Sequence, residues 1–366
     1  MTAARPRLQS LIFELTQDCN HACLHCYNVW HGPRQPPYPP GQLDTSRTLE
    51  LLAKALDETL CSHVTLTGGE PLLRPDLPRI LEFLQRRNVR VTIISNGRLL
   101  DERAAASLVQ AGVGLFELPV LSHHPELHDE LSGAPGAWQA VLSAMANLRL
   151  QHAQFVAAFV ATRRNVEHLY ETIRLAFAFG ARGLMLNRFN PGGRGRQHLE
   201  ELLPSVDQLR IALETAEAAS VEFNFPISCS IPIQPCLIDI RHYPHLGFGF
   251  CAAGSERAYY TLDPLGNLRP CNHSDLILGN LFDESFADLV APGRMTSFIC
   301  AIPPFCVECT SRLECQGGCK ASAQVCYGSL TMEEPFLRTN RSAAVRIIPA
   351  PATLLPTGIG DQAASS

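Results

Sequence analysis

Three cysteines fall within eight residues, at 19, 23 and 26, in the stretch DCNHACLHCY. A second group runs Cys306-x2-Cys309-x5-Cys315-x3-Cys319, with Cys326 shortly beyond and Cys251 and Cys271 upstream. Reduced thiols clustered this tightly are metal ligands. A four-iron cubane offers four irons, and three thiolates fill only three, so the first group describes a reactive cluster with one iron open to a cofactor or substrate. Structural zinc takes four closed ligands, and a zinc site completed by His21, His25 or His31 is the competing reading of this spacing. For the second group the alternative is a zinc ribbon over residues 306–319, which leaves Cys251, Cys271 and Cys326 without a role. Cys61, beside a strand-like run, reads as core.

Composition narrows the setting. The chain has 366 residues, enough for two domains or one large barrel with an appendage, and 46% hydrophobic with 18% charged residues is ordinary for a globular protein. Its formal net charge of -5 offers no basic field for nucleic acid. The start, MTAARPRLQSLIFELTQ, meets Glu14 after a handful of apolar residues and lacks the apolar core and small-residue cleavage site of an export signal. No apolar run is long enough to span a membrane. With fourteen cysteines and no export signal, the chain reads as a cytoplasmic protein of reduced thiols.

The elements that must position these residues follow from periodicity. LIFELTQ, HVTLTG, VRVTIIS, VGLFELPV, AQFVAAFVA and GLMLNRF read as buried parallel strands, separated by five amphipathic helical stretches. Asp101 reads as a helix N-cap, and Gly112 and Gly180 as stops. Six βα units predict an α/β fold, a partial (β/α)6 barrel resembling a TIM barrel, with its active face at the loops after the strands. The cysteine triple, GGEP and SNG follow strands one, two and three, so the unusual residues meet on that face. HGPRQPPYPPGQ reads as an extended loop over it, and NPGGRGRQ as a glycine-rich turn. From about residue 248 the βα rhythm gives way to glycine, proline and cysteine. The expected organisation is a barrel over 8–228, a cysteine-rich metal domain over 229–330, and a disordered tail over 338–366.

Cys19-x3-Cys23-x2-Cys26 followed by Tyr27, with TGGEP at 67–71 and SNG at 95–97, resembles the radical S-adenosylmethionine (SAM) superfamily over the barrel. The resemblance implies that Cys19, Cys23 and Cys26 hold a catalytic [4Fe-4S] cluster whose open iron chelates SAM. Reductive cleavage of SAM to a 5′-deoxyadenosyl radical would then abstract a substrate hydrogen, with an external donor of flavodoxin or ferredoxin type. Gly68, Gly69 and Glu70 would take the methionine amine. Ser95 and Asn96 are ribose or carboxylate contacts or plain turn formers, and Asn187 and Arg188 reach the adenosine or form a turn. In VLSHHPELHDELSG the family's aspartate position holds Ser122, its serine position Val120 and its arginine position Ser132. Ser122 stands as the substitute hydroxyl.

The later cysteines are similar to the SPASM domain, a cysteine-rich region that follows the barrel in one branch of the superfamily. That resemblance implies two auxiliary [4Fe-4S] clusters, one held by Cys306, Cys309, Cys315 and Cys326, the other by Cys251, Cys271 and Cys319. Cys229, Cys236 or Cys300 stands as a fourth ligand for the latter, or its iron is open to substrate. Such enzymes oxidise the carbon radical they create, mostly in peptides. Sulfatase-maturing members carry an acid after the second auxiliary cysteine, whereas RPCNH places Asn272 there, with His273 and Asp275 nearby. The expectation is therefore oxidative maturation of a ribosomally made peptide by crosslink, desaturation or epimerisation. A small-molecule cofactor precursor, sulfatase-type oxidation and a non-enzymatic metal scaffold are the alternatives. The segment before Cys19 is too short for a leader-binding domain of about 80 residues. Precursor recognition would fall to the SPASM region, the barrel rim or a separate protein.

Overall fold

Strand-sized apolar runs rich in Val, Ile and Phe bury both faces only in a parallel sheet covered by helices. In the computed structural model, which describes residues 5–8, 10–33 and 37–345, they form β1 (Ser10–Glu14), β2 (His63–Thr67), β3 (Arg90–Ile94), β4 (Val113–Pro119), β5 (Phe155–Ala161) and β6 (Leu184–Arg188). The intervening helices are α1 (Thr45–Glu58), α2 (Leu77–Arg86), α3 (Glu102–Gln110), α4 (Pro125–Ser132), α5 (Ala137–Leu150) and α6 (Leu169–Phe179). Asp101 caps α3 by accepting from Ala104 N–H, and Gly180 ends α6 in the left-handed conformation.

The parallel run extends beyond six strands. After α7 (Leu199–Leu202) and α8 (Val206–Phe223), short strands β7 (Ile227–Cys229) and β8 (Leu246–Phe248) add in parallel beyond β6. The barrel stays open, because β1 pairs on its other side with β9 (Tyr259–Leu262) rather than with β8. Two further strands, β10 (Asn267–Arg269) and β11 (Gly279–Asn280), continue antiparallel from β9. The cysteine-rich region is thus hydrogen-bonded into the barrel's own sheet. Among the described residues it continues in five short helices: α9 (Phe286–Leu289), α10 (Pro292–Ile299), α11 (Arg312–Cys315), α12 (Lys320–Tyr327) and α13 (Pro335–Thr339). Of the expected tail, residues 338–345 are described, with a 3-10 turn at Arg341–Ala343, and the remainder lies outside the described residues. No helix among the described residues is long and apolar enough to cross a membrane.

Alternation along the strands separates two faces. Phe116, Leu118, Phe155, Ala157, Phe159, Leu184 and Leu186 are buried under the helices. Glu117, Val156, Ala158, Val160, Met185 and Asn187 are only half-buried and line the inner face, where Glu117 stands opposite Val156.

Two buried ion pairs clamp the C-terminal region to the barrel. Arg269 on β10 pairs with Glu14 at the end of β1. Arg188 at the end of β6 donates to Glu334 at 2.5 Å and, through Nε, to Pro232 O at 2.8 Å, with both charged side chains at most 1% exposed. Truncating one partner strands the other charge in a dry interior. Glu334→Ala should therefore cost about 3–5 kcal/mol, measured by anaerobic denaturant unfolding, while an R188M/E334L double variant recovers most of the loss.

Candidate metal and cofactor site

Beyond the end of the sheet, the chain leaving β1 keeps pairing with the chain leaving β2. Gly69 N–H donates to Thr16 O and Glu70 N–H to Asp18 O, both at 2.7 Å. Only glycine allows this approach, since a Cβ on Gly69 would lie 2.0 Å from Asp18 O. Asn28 Nδ2 returns to Gly68 O at 2.6 Å, so the cysteine loop is laced at both ends to the GGE turn.

A third segment closes the loop from the other side. Gly195 N–H donates to Cys26 O (2.9 Å), and Arg194 Nη1 approaches Cys23 O (3.4 Å). Gly193, at φ +42°, would drive a Cβ to 2.3 Å from Asn28 O. The glycine-rich turn after β6 is thus a wall of the site that brings in the Arg194 cation, a role its composition did not announce.

The three thiols are half-buried and close enough to act on one another electrostatically. Burial pushes all three up, Cys26 to about 11, while Arg194 pulls each back down. Thiolates are disfavoured here unless a cation shares the site, and bound metal supplies that charge, so the donor set fits a cluster. Of the three histidines that would complete a zinc set, His31 is the one against a thiol, its Nδ1 3.4 Å from Cys26 Sγ. His21 Nε2 and His25 Nδ1 are buried without partners, and burial pulls both imidazoles down to about 4.

Glu70 is 1% exposed and binds neighbours through both oxygens. Oε1 accepts from Leu72 N–H (3.1 Å) and Ser95 Oγ (2.9 Å), and Oε2 accepts from Asn96 N–H (2.8 Å). Glu70 therefore joins GGEP to SNG. Asn96 Nδ2 reaches Asn20 Oδ1 at 2.6 Å, which ties SNG to the cysteine loop as well. Ser122 is fully buried and accepts from His124 N–H (3.0 Å), opening the turn into α4. Asn187 Oδ1 accepts from Ser230 N–H and Oγ, both at 2.9 Å. Arg188 is held by Glu334, although its Nη1 has no partner.

The second cysteine field divides into two sets. Cys251, Cys271 and Cys319 act on one another and on Tyr259 of β9. Asn190 Nδ2 stands 3.2 Å from both Cys319 Sγ and His273 Nδ1, and the His273 ring packs against Tyr27 at a 35° tilt with centroids 4.3 Å apart. A chain of contacts, one between rings and two polar, therefore leads from the first cysteine loop to this set. Burial pulls His273 down to about 4, so the ring is neutral at physiological pH. Asn272 hydrogen-bonds the Tyr27 hydroxyl, and the Asp275 Oδ1 is buried without a partner. Cys306, Cys309 and Cys315 form the other set, while Cys326 lies elsewhere, beside Ser322, Arg196, Glu334 and Cys319. Asn190 and Arg194 escaped sequence reasoning because nothing in a glycine-rich turn says which loops it will touch.

Residues 13–176 match the family model of the radical SAM superfamily. The match runs from β1 into α6, so this barrel is a radical SAM domain and the protein is an enzyme; that family implies a [4Fe-4S] cluster and SAM. PqqA peptide cyclase of Gluconobacter oxydans is 26% identical over 345 residues, covering 92% of this chain and 91% of its own. Mycofactocin maturase MftC of Mycobacterium ulcerans is 28% identical over 340 residues, covering 88% of each. AdoMet-dependent heme synthase of Methanosarcina barkeri is 27% identical over 356 residues, covering 90% and 96%. Among solved structures, anSMEcpe with bound AdoMet superposes with a TM-score of 0.69 at 18% identity over 92% of each chain. Streptococcus suis SuiB bound to S-adenosylmethionine gives 0.68 at 16% identity over 90% of this chain and 76% of its own. These two likenesses concern the fold.

Gly69→Ala and Gly193→Ala should each displace the cysteine loop, seen as lost iron–sulfur absorbance after anaerobic reconstitution. Gly114→Ala, whose nearest Cβ neighbour is 3.6 Å away, should leave the absorbance unchanged.

Proposed function

We propose that this enzyme removes a hydrogen atom from a peptide and either oxidises the resulting carbon radical, which gives a crosslink or desaturation, or returns a hydrogen atom to it from the opposite face, which gives an epimer, in a ribosomally made precursor. The observation that carries this reading is full-length similarity to two relatives whose names specify peptide maturation or cyclisation, in a chain with two further thiol sets against the barrel. Cys19, Cys23 and Cys26 would hold the first cluster, and Cys251, Cys271 and Cys319, with Cys306, Cys309 and Cys315, the auxiliary ones. The bound cluster and SAM supply hydrogen-atom abstraction from unactivated carbon. The chain's own part is placement. Gly68, Gly69 and the Glu70 tether shape the edge where the methionine end of SAM would lie, with Ser95 and Asn96 beside it. Ser122 and Asn187 organise the rim toward the adenosine, and Arg188 braces it from behind through Glu334. We place the enzyme in the cytoplasm, reduced by an external flavodoxin- or ferredoxin-type donor, with precursor recognition shared by the rim, the cysteine-rich region or a separate protein.

Oxidation of a carbon centre by loss of hydrogen also releases a proton. Glu117 lies on the inner face of β4, close enough to act on Tyr27, and burial pushes its carboxyl to about 7. A carboxyl with that pKa is a base above pH 7 and an acid below it, so we assign it the proton. Product formation should then rise with pH through about 7. Glu117→Gln should remove that limb and lower turnover by about 10²-fold or more, with SAM cleavage retained.

A second reading, a small-molecule substrate, is favoured by the heme synthase relative at similar identity. Anaerobic co-expression with each short peptide encoded beside the gene, in normal and deuterated water, separates the two. A loss of about 2 Da marks a crosslink or desaturation, and a gain of about 1 Da only in deuterated water marks epimerisation. No change in any neighbour, from an enzyme that cleaves SAM, overturns the peptide reading. Cys23→Ala should abolish SAM cleavage, and a variant that kept it would remove the first cluster from these residues.

A further inference from the structure

Four thiols, not three, surround the small cavity beside α11. It is lined by Cys306, Cys309 and Cys315 and, from a segment about 70 residues earlier, by Cys236, with Leu337 across from them. Cys236 is half-buried, and burial followed by the charges of Cys315, Cys306 and Cys309 pushes it up to about 12, which confirms their proximity.

The segment carrying Cys236 is held firmly. Gln234 is fully buried, its side-chain amide donates to Glu334, and its carbonyl accepts from Leu237 and Ile238 N–H at 2.9 and 3.1 Å. Gly318 leaves the room this needs, since a Cβ there would sit 2.2 Å from Gln234 Nε2. From the far side, Val345 N–H donates to Cys236 O at 2.9 Å. Cys326 is placed differently. It shares a face of α12 with Ser322, four residues earlier, and Ser322 Oγ donates to Pro191 O at 2.9 Å. That face looks toward the turn after β6, and Cys326 does not line the cavity.

We propose that Cys236 is the fourth ligand of the iron–sulfur cluster held by Cys306, Cys309 and Cys315, and that Cys326 is not a ligand. The proposal rests on the auxiliary-cluster reading above. With four thiolates every iron of a cubane is capped, so this cluster has no coordination site for substrate and serves as an electron carrier. The ligand set also staples the segment after β7 to the C-terminal helices, regions that sequence separates.

The test is iron and sulfide content with EPR and Mössbauer spectra of the anaerobically reconstituted full chain. Wild type should bind about twelve irons, three clusters of four. Cys236→Ala should lose about four irons together with one reduced-cluster EPR signal, and Cys326→Ala should lose neither. Cys236→Ser, which keeps an oxygen ligand, should retain that cluster with an altered EPR signal, and it serves if the alanine variant does not fold. A full complement in Cys236→Ala, or loss in Cys326→Ala instead, overturns the assignment. One zinc per chain that disappears in Cys236→Ala overturns the identity of the group while keeping the ligand. Failure of the underlying reading looks different: wild type itself would hold only about four irons, all lost in Cys19→Ala.

Discussion

The approach of two backbones past the ends of β1 and β2 is the constraint on which the site depends. Leu15, Gly69 and Glu70 extend the ladder beyond the sheet, and the absence of side chains on Gly68 and Gly69 lets the loops touch. Once they touch, Glu70 lies where Leu72, Ser95 and Asn96 satisfy its carboxylate, and Asn96 in turn reaches Asn20. A buried carboxylate without such donors would cost several kcal/mol, so this network makes the three-loop junction rigid as well as close.

A second layer of constraint is electrostatic. Glu14 with Arg269 and Arg188 with Glu334 each join a barrel strand end to the cysteine-rich region. Buried pairs contribute little net stability against apolar isosteres, yet they specify orientation because any misplacement leaves a bare charge. The packed rings of Tyr27 and His273, with Asn190 between His273 and Cys319, lie inside this clamp. Fixed separations of this kind, which a flexible linker would not provide, suit electron movement between the proposed clusters.

Much of the fold was legible in sequence. Six apolar runs became six parallel strands, Asp101 and Gly180 cap as expected, and the cysteine, GGEP and SNG loops meet on one face. Short-period hydrophobic patterning carries that information locally. The joining of β9 to β1 was not legible, because it pairs segments about 250 residues apart and β9 itself is only four residues long. Helix α8, at eighteen residues, was not legible either, because its alanine-rich stripe gives a weak apolar contrast.

Sequence by itself determined what is on offer: three closely spaced thiols, glycines where backbones must meet, and a further field of cysteines. Residue type and local spacing set what atoms are offered as ligands. Tertiary structure alone decided which atoms meet. It brought Arg194 and Asn190 to the thiols from a turn with no ligand pattern, turned Arg188 from the rim to Glu334, and put Cys236 beside cysteines about 70 residues later while α12 carried Cys326 away. The physical reason is that ligand geometry is a property of where elements pack, and packing is settled by long-range contacts and buried charge that no local pattern encodes.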